Sequence, residues 1–233
     1  MHIGFIMDGN RRWAEKRGML KYLGHDKGAD KMEEIVDLCL KEGIEYVSIW
    51  ALAKKNLERS SEELNHLFTL LRKKIISMKK KYIENGIRFE TVGNLELLPT
   101  DIKEILLDLQ DATKDGSKIT FILAMAYGGQ DEIVRGVKTY LKENIDKINP
   151  ENIDSIIDNL DEKLFANYLD TGKYPPPDLI VRTGGDIRLS GYFLYQSEYS
   201  EYYFTPTFWP DFDDNEFYKA LDSLKNAKRN FGK

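Results

Sequence analysis

Residues 118–126, KITFILAMA, are apolar almost without interruption. The run is far too short to cross a bilayer, which takes roughly 18 or more such residues. A run of this length predicts a strand covered on both faces, the condition of a parallel sheet enclosed by helices. Short runs at 2–7 (HIGFIM), 45–52 (EYVSIWAL), 87–93 (IRFETVG) and 178–182 (DLIVR) predict further strands.

Segments with helical spacing separate these strands. Met32, Ile35, Val36 and Cys39 recur between Gly24 and Gly43, with Gly43 at the place of a C-cap. Ser60 with Glu63 reads as a capping box ahead of Leu64, Leu67, Phe68, Leu71, Ile75 and Tyr82, and Asn85-Gly86 reads as the stop. A shorter helix is predicted around Ile102, Ile105, Leu106 and Leu109, another through Ile133, Val134, Val137 and Leu141, and a last from about Asp214 with Phe217, Leu221 and Leu224. The Asp213-Asp214 pair caps that last helix. Acidic residues dominate 143–162, Pro175-Pro176-Pro177 marks a rigid connection, and residues 192–209 are assigned no element.

Strand, helix, strand in repetition predicts an α/β fold: one domain over residues 1–233, an open, mostly parallel sheet flanked by helices. Composition narrows the partners. With 34 Lys plus Arg against 39 Asp plus Glu the formal charge is −5, which argues against nucleic acid, though not against a small anion. The one cysteine, Cys39, can make neither an internal disulfide nor a thiolate metal cluster. No membrane span and no signal peptide are evident, so the expectation is a soluble, cytoplasmic protein.

In open parallel sheets ligands sit beyond the carboxyl ends of strands, so the turns there are where chemistry is expected. After the first strand comes Asp8-Gly9-Asn10-Arg11-Arg12-Trp13. Its carboxylate suits Mg²⁺, and its backbone N–H groups and arginines suit a phosphate; an Asx-capped turn with surface arginines fits the same residues. His25, at the predicted start of the next helix, can donate to a phosphate oxygen or simply pack. After the second strand Lys54, Lys55 and Arg59 surround Asn56, as a solvated loop or an anion site would have them. After the last strand Arg182-Thr183-Gly184-Gly185-Asp186-Ile187-Arg188-Leu189-Ser190 sets two arginines and a hydroxyl about glycines.

Three cation-bearing turns at strand ends point to one shared polyanion site with room for two diphosphates. The Walker loop and the G-x-G-x-x-G fingerprint of nucleotide binders are missing, and His2, His25 and His66 have no zinc spacing.

The blocks HIGFIMDGNRRWA, GHDKG, AMAYGGQDEI, DLIVRTGGDIRLSGYFLYQSEYSEYYFTPTFWPDF and RNFGK resemble the cis-prenyltransferases over nearly the whole chain. The resemblance implies a homodimeric, Mg²⁺-dependent enzyme that adds isopentenyl diphosphate to an allylic diphosphate such as farnesyl diphosphate. The product implied is a polyprenyl diphosphate of undecaprenyl type, with peripheral membrane contact for its release.

It also implies roles. Asp8 binds Mg²⁺ and helps the allylic diphosphate leave. Gly9, Asn10, Arg11, Arg12, Lys21 and His25 surround that diphosphate, with Trp13 beside it. Arg182, Arg188 and Ser190 hold the diphosphate of isopentenyl diphosphate, Arg59 borders the site, and Glu201 is a second magnesium ligand. Asn56 orients the isopentenyl substrate while a diphosphate oxygen takes its proton, because an amide is a poor base. Leu67, Leu71 and Ile75 line an apolar tunnel between sheet and long helix, with ordinary core packing expected for at least one of them.

The chain departs from the family pattern in two places. Ala53-Lys54-Lys55-Asn56-Leu57 replaces the family's Ser-Ser/Thr-Glu-Asn-Trp run, so hydroxyls, acid and Trp are lost, while Lys21 stands in place of Arg. One expectation is that Lys54 or Lys55 supplies charge to a diphosphate; the other is that the altered loop changes the allylic substrate. The alternatives to a long-chain enzyme are a short-chain cis-prenyl diphosphate synthase and a non-catalytic subunit supporting a partner synthase.

Overall fold

The computed structural model describes residues 1–147 and 152–227. The closing RNFGK at 229–233 and part of the acidic stretch 143–162 lie outside the described residues. Six strands form one sheet: β1 (His2–Ile6), β2 (Tyr46–Trp50), β3 (Ile87–Val92), β4 (Ile119–Ala124), β5 (Leu179–Arg182) and β6 (Glu201–Phe204). All five neighbouring pairs are parallel, in the order β3-β4-β2-β1-β5-β6. β4 is buried on both faces, as its unbroken apolar run requires.

Eight α-helices connect or cover these strands among the described residues: α1 (Asn10–Glu15), α2 (Leu23–Lys41), α3 (Ser61–Asn85), α4 (Thr100–Ala112), α5 (Gly129–Asn144), α6 (Ile153–Asp158), α7 (Glu162–Ala166) and α8 (Asp214–Asn226). Ser60, Gly86 and Asp213 stand at the caps read from sequence. Ser60 accepts from the Glu63 N–H, Gly86 ends α3 in the left-handed region at φ 68°, and Asp213 accepts from the Glu216 N–H. One face of the sheet packs on α2, α3, α4 and α8 through Phe5, Ile49, Phe121, Leu71 and Phe217. The other is covered by an aromatic group of Tyr127, Tyr174, Tyr192 and Phe193.

β6 lies within the segment that carried no predicted element. Its four residues pair with β5 after a connection made of turns, so no helical spacing announces it. The stripe predicted on α5 also faces outward: Val134, Val137 and Leu141 are exposed, while Gly129, Glu132, Gly136 and Tyr140 face the interior. Glu132 is tolerated there because Tyr127 Oη, Thr171 N and Thr171 Oγ1 all donate to its carboxylate at 2.6–2.8 Å.

The chain builds outward from β1 through β2 on one side, then returns to add β5 on the other. This is the reversal of strand order at which open sheets form a crevice. The three cation-bearing turns follow β2, β1 and β5, which lie side by side, so the topology gathers them at one edge.

Candidate functional site

Asp8 stands two residues beyond β1, and Arg182 closes β5 in register with Ile6. Asp8 Oδ2 accepts from Arg182 Nη2 at 2.8 Å, and Oδ1 from Arg12 Nη2 at 3.0 Å and the Gly9 N–H at 2.7 Å. Burial by itself would raise the Asp8 pKa, but the Arg182 hydrogen bond and the charges of Arg12 and Arg182 outweigh it and hold the carboxyl below its ordinary range. Arg12 also donates to the Gly184 carbonyl at 2.8 Å, and Arg182 donates to the Ser190 hydroxyl at 2.9 Å. Gly9 takes φ 104°, and a Cβ on it would lie 2.6 Å from the Phe208 ring, so the tight turn after Asp8 leaves no room for a side chain.

A second carboxylate shares these arginines. Asp186 lies 3.6 Å from Arg182 Nη2, 3.7 Å from Arg12 Nη2 and 2.9 Å from Arg188 Nη2. It lies within the Arg182–Ser190 turn, and nothing in its spacing along the chain singles it out.

The other wall is built by α2 and α3. Glu63 is largely enclosed and gathers Arg59 at 2.9 Å, His25 at 3.4 Å and Arg11 at 3.9 Å. Its backbone N–H makes the cap as predicted, but its side chain turns to these cations instead of back to the N-cap. Burial, then the charge of Arg59, lowers the His25 pKa, and the Glu63 hydrogen bond offsets this only in part. Lys21 pairs with Glu15 at 2.8 Å.

Two adjoining cavities occupy this edge. One, about 340 Å³, is bordered by Gly9, Arg11, Arg12 and Lys21. The other, about 290 Å³, is bordered at its polar end by Asp8, Asn10, His25, Asn56, Arg59, Arg182 and Ser190, and continues between α2 and α3 past Met32, Leu67, Leu70 and Leu71. Asn10 Oδ1 and Arg182 Nε are buried in these walls without a hydrogen-bond partner.

Several expected residues lie elsewhere. Trp13 Nε1 donates to Asp211 Oδ1 at 2.7 Å and its ring stacks under Arg17, away from both cavities. Arg188 borders neither cavity but stays beside the site, exposed and 2.9 Å from Asp186. Leu67, Leu71 and Ile75 all pack in the core; Leu67 and Leu71 also border the cavity, and Ile75 does not. Lys54 pairs with Asp131 on α5 at 2.5 Å, and neither it nor Lys55 borders either cavity, which removes the expected charge contribution to a diphosphate.

Glu201 opens β6 opposite Leu179, three residues before Arg182 on β5. At about 3.3 Å per residue that is roughly 10 Å toward the other end of the sheet, so one chain does not bring Glu201 to Asp8.

Among the described residues no three His, Cys, Asp or Glu side chains form a ready-made ligand set. Asp8 and Asp186 nevertheless suit Mg²⁺, which takes hard oxygens from one or two carboxylates and completes its shell with substrate phosphate and water.

The Prenyltransf family model, that of undecaprenyl diphosphate synthase, matches residues 6–232. The chain is 38% identical over 235 residues to a tritrans,polycis-undecaprenyl-diphosphate synthase (geranylgeranyl-diphosphate specific) of Thermoplasma volcanium, covering 100% of this chain and 88% of that one. It is 36% identical over 232 residues to an isoprenyl transferase of Aquifex aeolicus, covering 100% and 95%. The crystal structure of lavandulyl diphosphate synthase from Lavandula x intermedia, in complex with dimethylallyl diphosphate, superposes with a TM-score of 0.89 at 31% identity, covering 100% of this chain and 98% of that one.

Proposed function

The chain belongs to the undecaprenyl diphosphate synthase family of prenyl transferases, and from that membership we propose that it condenses isopentenyl diphosphate with an allylic diphosphate in one domain. The carrying observation is a cavity that is cationic at one end and apolar at the other. Arg59, Arg182 and the Asp8 turn suit a diphosphate, and Met32, Leu67 and Leu71 suit its hydrocarbon.

In this reading Arg11, Arg12, Lys21 and His25, with Gly9 and Asn10, surround the allylic diphosphate. Preformed positive charge there stabilises the charge that builds on the leaving group. Arg182, Arg188 and Ser190 take the second diphosphate. Asn56, whose amide finds no hydrogen-bond partner among the described residues, orients the isopentenyl group against the allylic carbon. A diphosphate oxygen accepts the proton lost on condensation. The apolar arm keeps water from the allylic cation. Mg²⁺, held by Asp8 with Asp186, supplies further charge stabilisation to the departing diphosphate when bound.

Homodimers are proposed from the exposed apolar stripe of α5. No helix among the described residues is long and apolar enough to cross a membrane, and we place the work in the cytoplasm with product passed to a membrane surface. Product length has two readings. The undecaprenyl type follows from the resemblance. A short-chain product is favoured by the apolar arm, which ends at Lys74, near Glu33 and only eight residues along α2 from His25, about 12 Å at 1.5 Å per residue.

Purified protein given radiolabelled isopentenyl diphosphate, Mg²⁺ and farnesyl or geranylgeranyl diphosphate decides these points. A ladder of labelled prenyl products is expected, and its longest member separates the two lengths. No product from any allylic primer would refute the enzymatic reading and leave the non-catalytic subunit. Asp8→Ala should keep the fold and lose at least 100-fold in turnover; near-normal turnover would remove Asp8 from the mechanism.

A further inference from the structure

The wall where the apolar arm ends is not apolar. Lys74 on α3 borders the cavity beside Leu70, Leu71 and Met32, and its ammonium reaches across to α2, lying 2.8 Å from Asp30 Oδ1 and 2.6 Å from Glu33 Oε1. All three side chains sit at the seam between the two helices, with Lys74 and Glu33 about four-fifths enclosed. Burial would lower the Lys74 pKa, but hydrogen bonds to Asp30 and Glu33 more than offset it, so the cation persists.

Beneath this level the interior is filled. Ile35, Val36, Ile75 and Met78 are all at most 3% exposed and pack against the sheet. A hydrocarbon that outgrows the arm therefore cannot go straight down without displacing a close-packed core. The seam is the remaining way out. α3 packs much more closely on α4 than on α2, so the α2–α3 seam is the loose one, and charged contacts hold it at intervals: His25 with Glu63, Asp26 with His66, then the Lys74 group, then Lys81 with Asp37. Of these residues, Lys74 is the one that borders the cavity at its apolar end.

We propose that Lys74, Asp30 and Glu33 form an ionic clasp across the α2–α3 seam that limits product length, so that chain growth slows when the prenyl tail reaches it. This rests on the prenyl-elongation reading above. An apolar tail pressed against the clasp must either stop or separate the Lys74 ammonium from the enclosed Glu33 and the half-exposed Asp30 without offering a new partner, which is unfavourable for the enclosed pair. The clasp is remote from the diphosphates, so it bears on how far elongation runs and not on the first condensation.

The test replaces the cation with an apolar side chain of similar length, Lys74→Met, and compares product ladders at a fixed ratio of isopentenyl to allylic diphosphate. The expected result is a main product at least one isoprene unit longer, with the rate of the first condensation within about twofold of the parent. Asp30→Asn with Glu33→Gln, which releases the ammonium without changing volume, should shift the ladder in the same direction. Reversing the pair, Lys74→Glu with Glu33→Lys and Asp30→Asn, should restore the parental ladder, which a simple change in packing would not do. Active variants with unchanged ladders overturn the clasp and leave the enzyme reading intact. A parent protein that forms no product from any primer overturns the enzyme reading and the clasp with it.

Discussion

Five side-chain cations, Arg11, Arg12, Arg59, Arg182 and Arg188, meet three carboxylates, Asp8, Glu63 and Asp186, in the free site. The carboxylates act as internal counterions that hold the guanidinium groups in place, while positive charge remains in excess for a diphosphate. His25 adds a titratable member. Its pKa lies below the ordinary value of 6.5 in the free protein, chiefly through burial and the charge of Arg59. A diphosphate beside it would raise that pKa, so the complex binds a proton that the free protein does not. Affinity for inorganic pyrophosphate should therefore rise severalfold relative to His25→Gln as pH falls from about 7.5 to 5.5. Calorimetry of both proteins checks this, since the ligand's own titration is common to the two.

For stability the sign runs the other way. A lowered folded pKa means stability is fully present above about 6.5 and is lost as pH falls through the folded value. Thermal unfolding of the free parent should lose more than that of His25→Gln over the same interval. Lys54 makes a contrasting case: its pair with Asp131 lies outside both cavities and Lys54 is nearly half exposed. Lys54→Ala should leave both Michaelis constants unchanged and cost less than about 1 kcal/mol of stability.

Secondary-structure elements set how firmly these residues are held. α1 carries Asn10, Arg11 and Arg12, and it rests on α2 where two glycines remove the side chains between them. A Cβ at Gly24 would lie 2.0 Å from the Asn10 carbonyl oxygen, and one at Gly28 would lie 2.3 Å from Asn10 Oδ1. The first contact is with backbone, which cannot turn aside, so Gly24→Ala must push α1 off α2. A loss of about 1–3 kcal/mol in chemical unfolding is expected, together with a raised Michaelis constant for the allylic substrate. Unchanged values for both would show that α1 is not fixed by this contact.

The same helices show what could be read from sequence. Glycine and serine chemistry marked both ends of α3, and apolar spacing marked its inner face, because caps and stripes are local. β6 was not legible, since a four-residue edge strand joined through turns carries no period long enough to detect. The outward face of α5 was hidden for a different reason: its inner face is made of Gly129, Gly136, Tyr140 and a satisfied Glu132, so the apolar side is not the buried side. In the site, the motif residues at strand ends were legible individually. The pairing of Glu63 with three cations, and the separation of Glu201 from Asp8, depend on register and helix placement that spacing along the chain does not encode.

At the scale of the whole molecule, the exposed α5 stripe is an apolar surface that one chain leaves open to solvent. Val134, Val137, Leu141 and Ile145 are 43–64% exposed along one side, and Ile153 and Ile157 of the following α6 are exposed as well. Scattered apolar residues on a surface need no explanation, but a helix whose more apolar side faces solvent does. The proposed homodimer supplies one, with a second α5 covering the first about a two-fold axis. The arrangement also touches the site. α5 begins at Gly129, whose N–H donates at 2.9 Å to the carbonyl of Gly191, next to the Ser190 that holds Arg182. Sedimentation should therefore show a particle near twice 27.0 kDa, or about 54 kDa. Placing a charge in the stripe, as in Val137→Asp with Leu141→Asp, should give a folded monomer, because burying two unpaired carboxylates against their copies is strongly unfavourable. If the interface steadies the segment around Ser190, that monomer should bind isopentenyl diphosphate more weakly than the dimer. A variant that remains dimeric would place the contact on another face of the molecule.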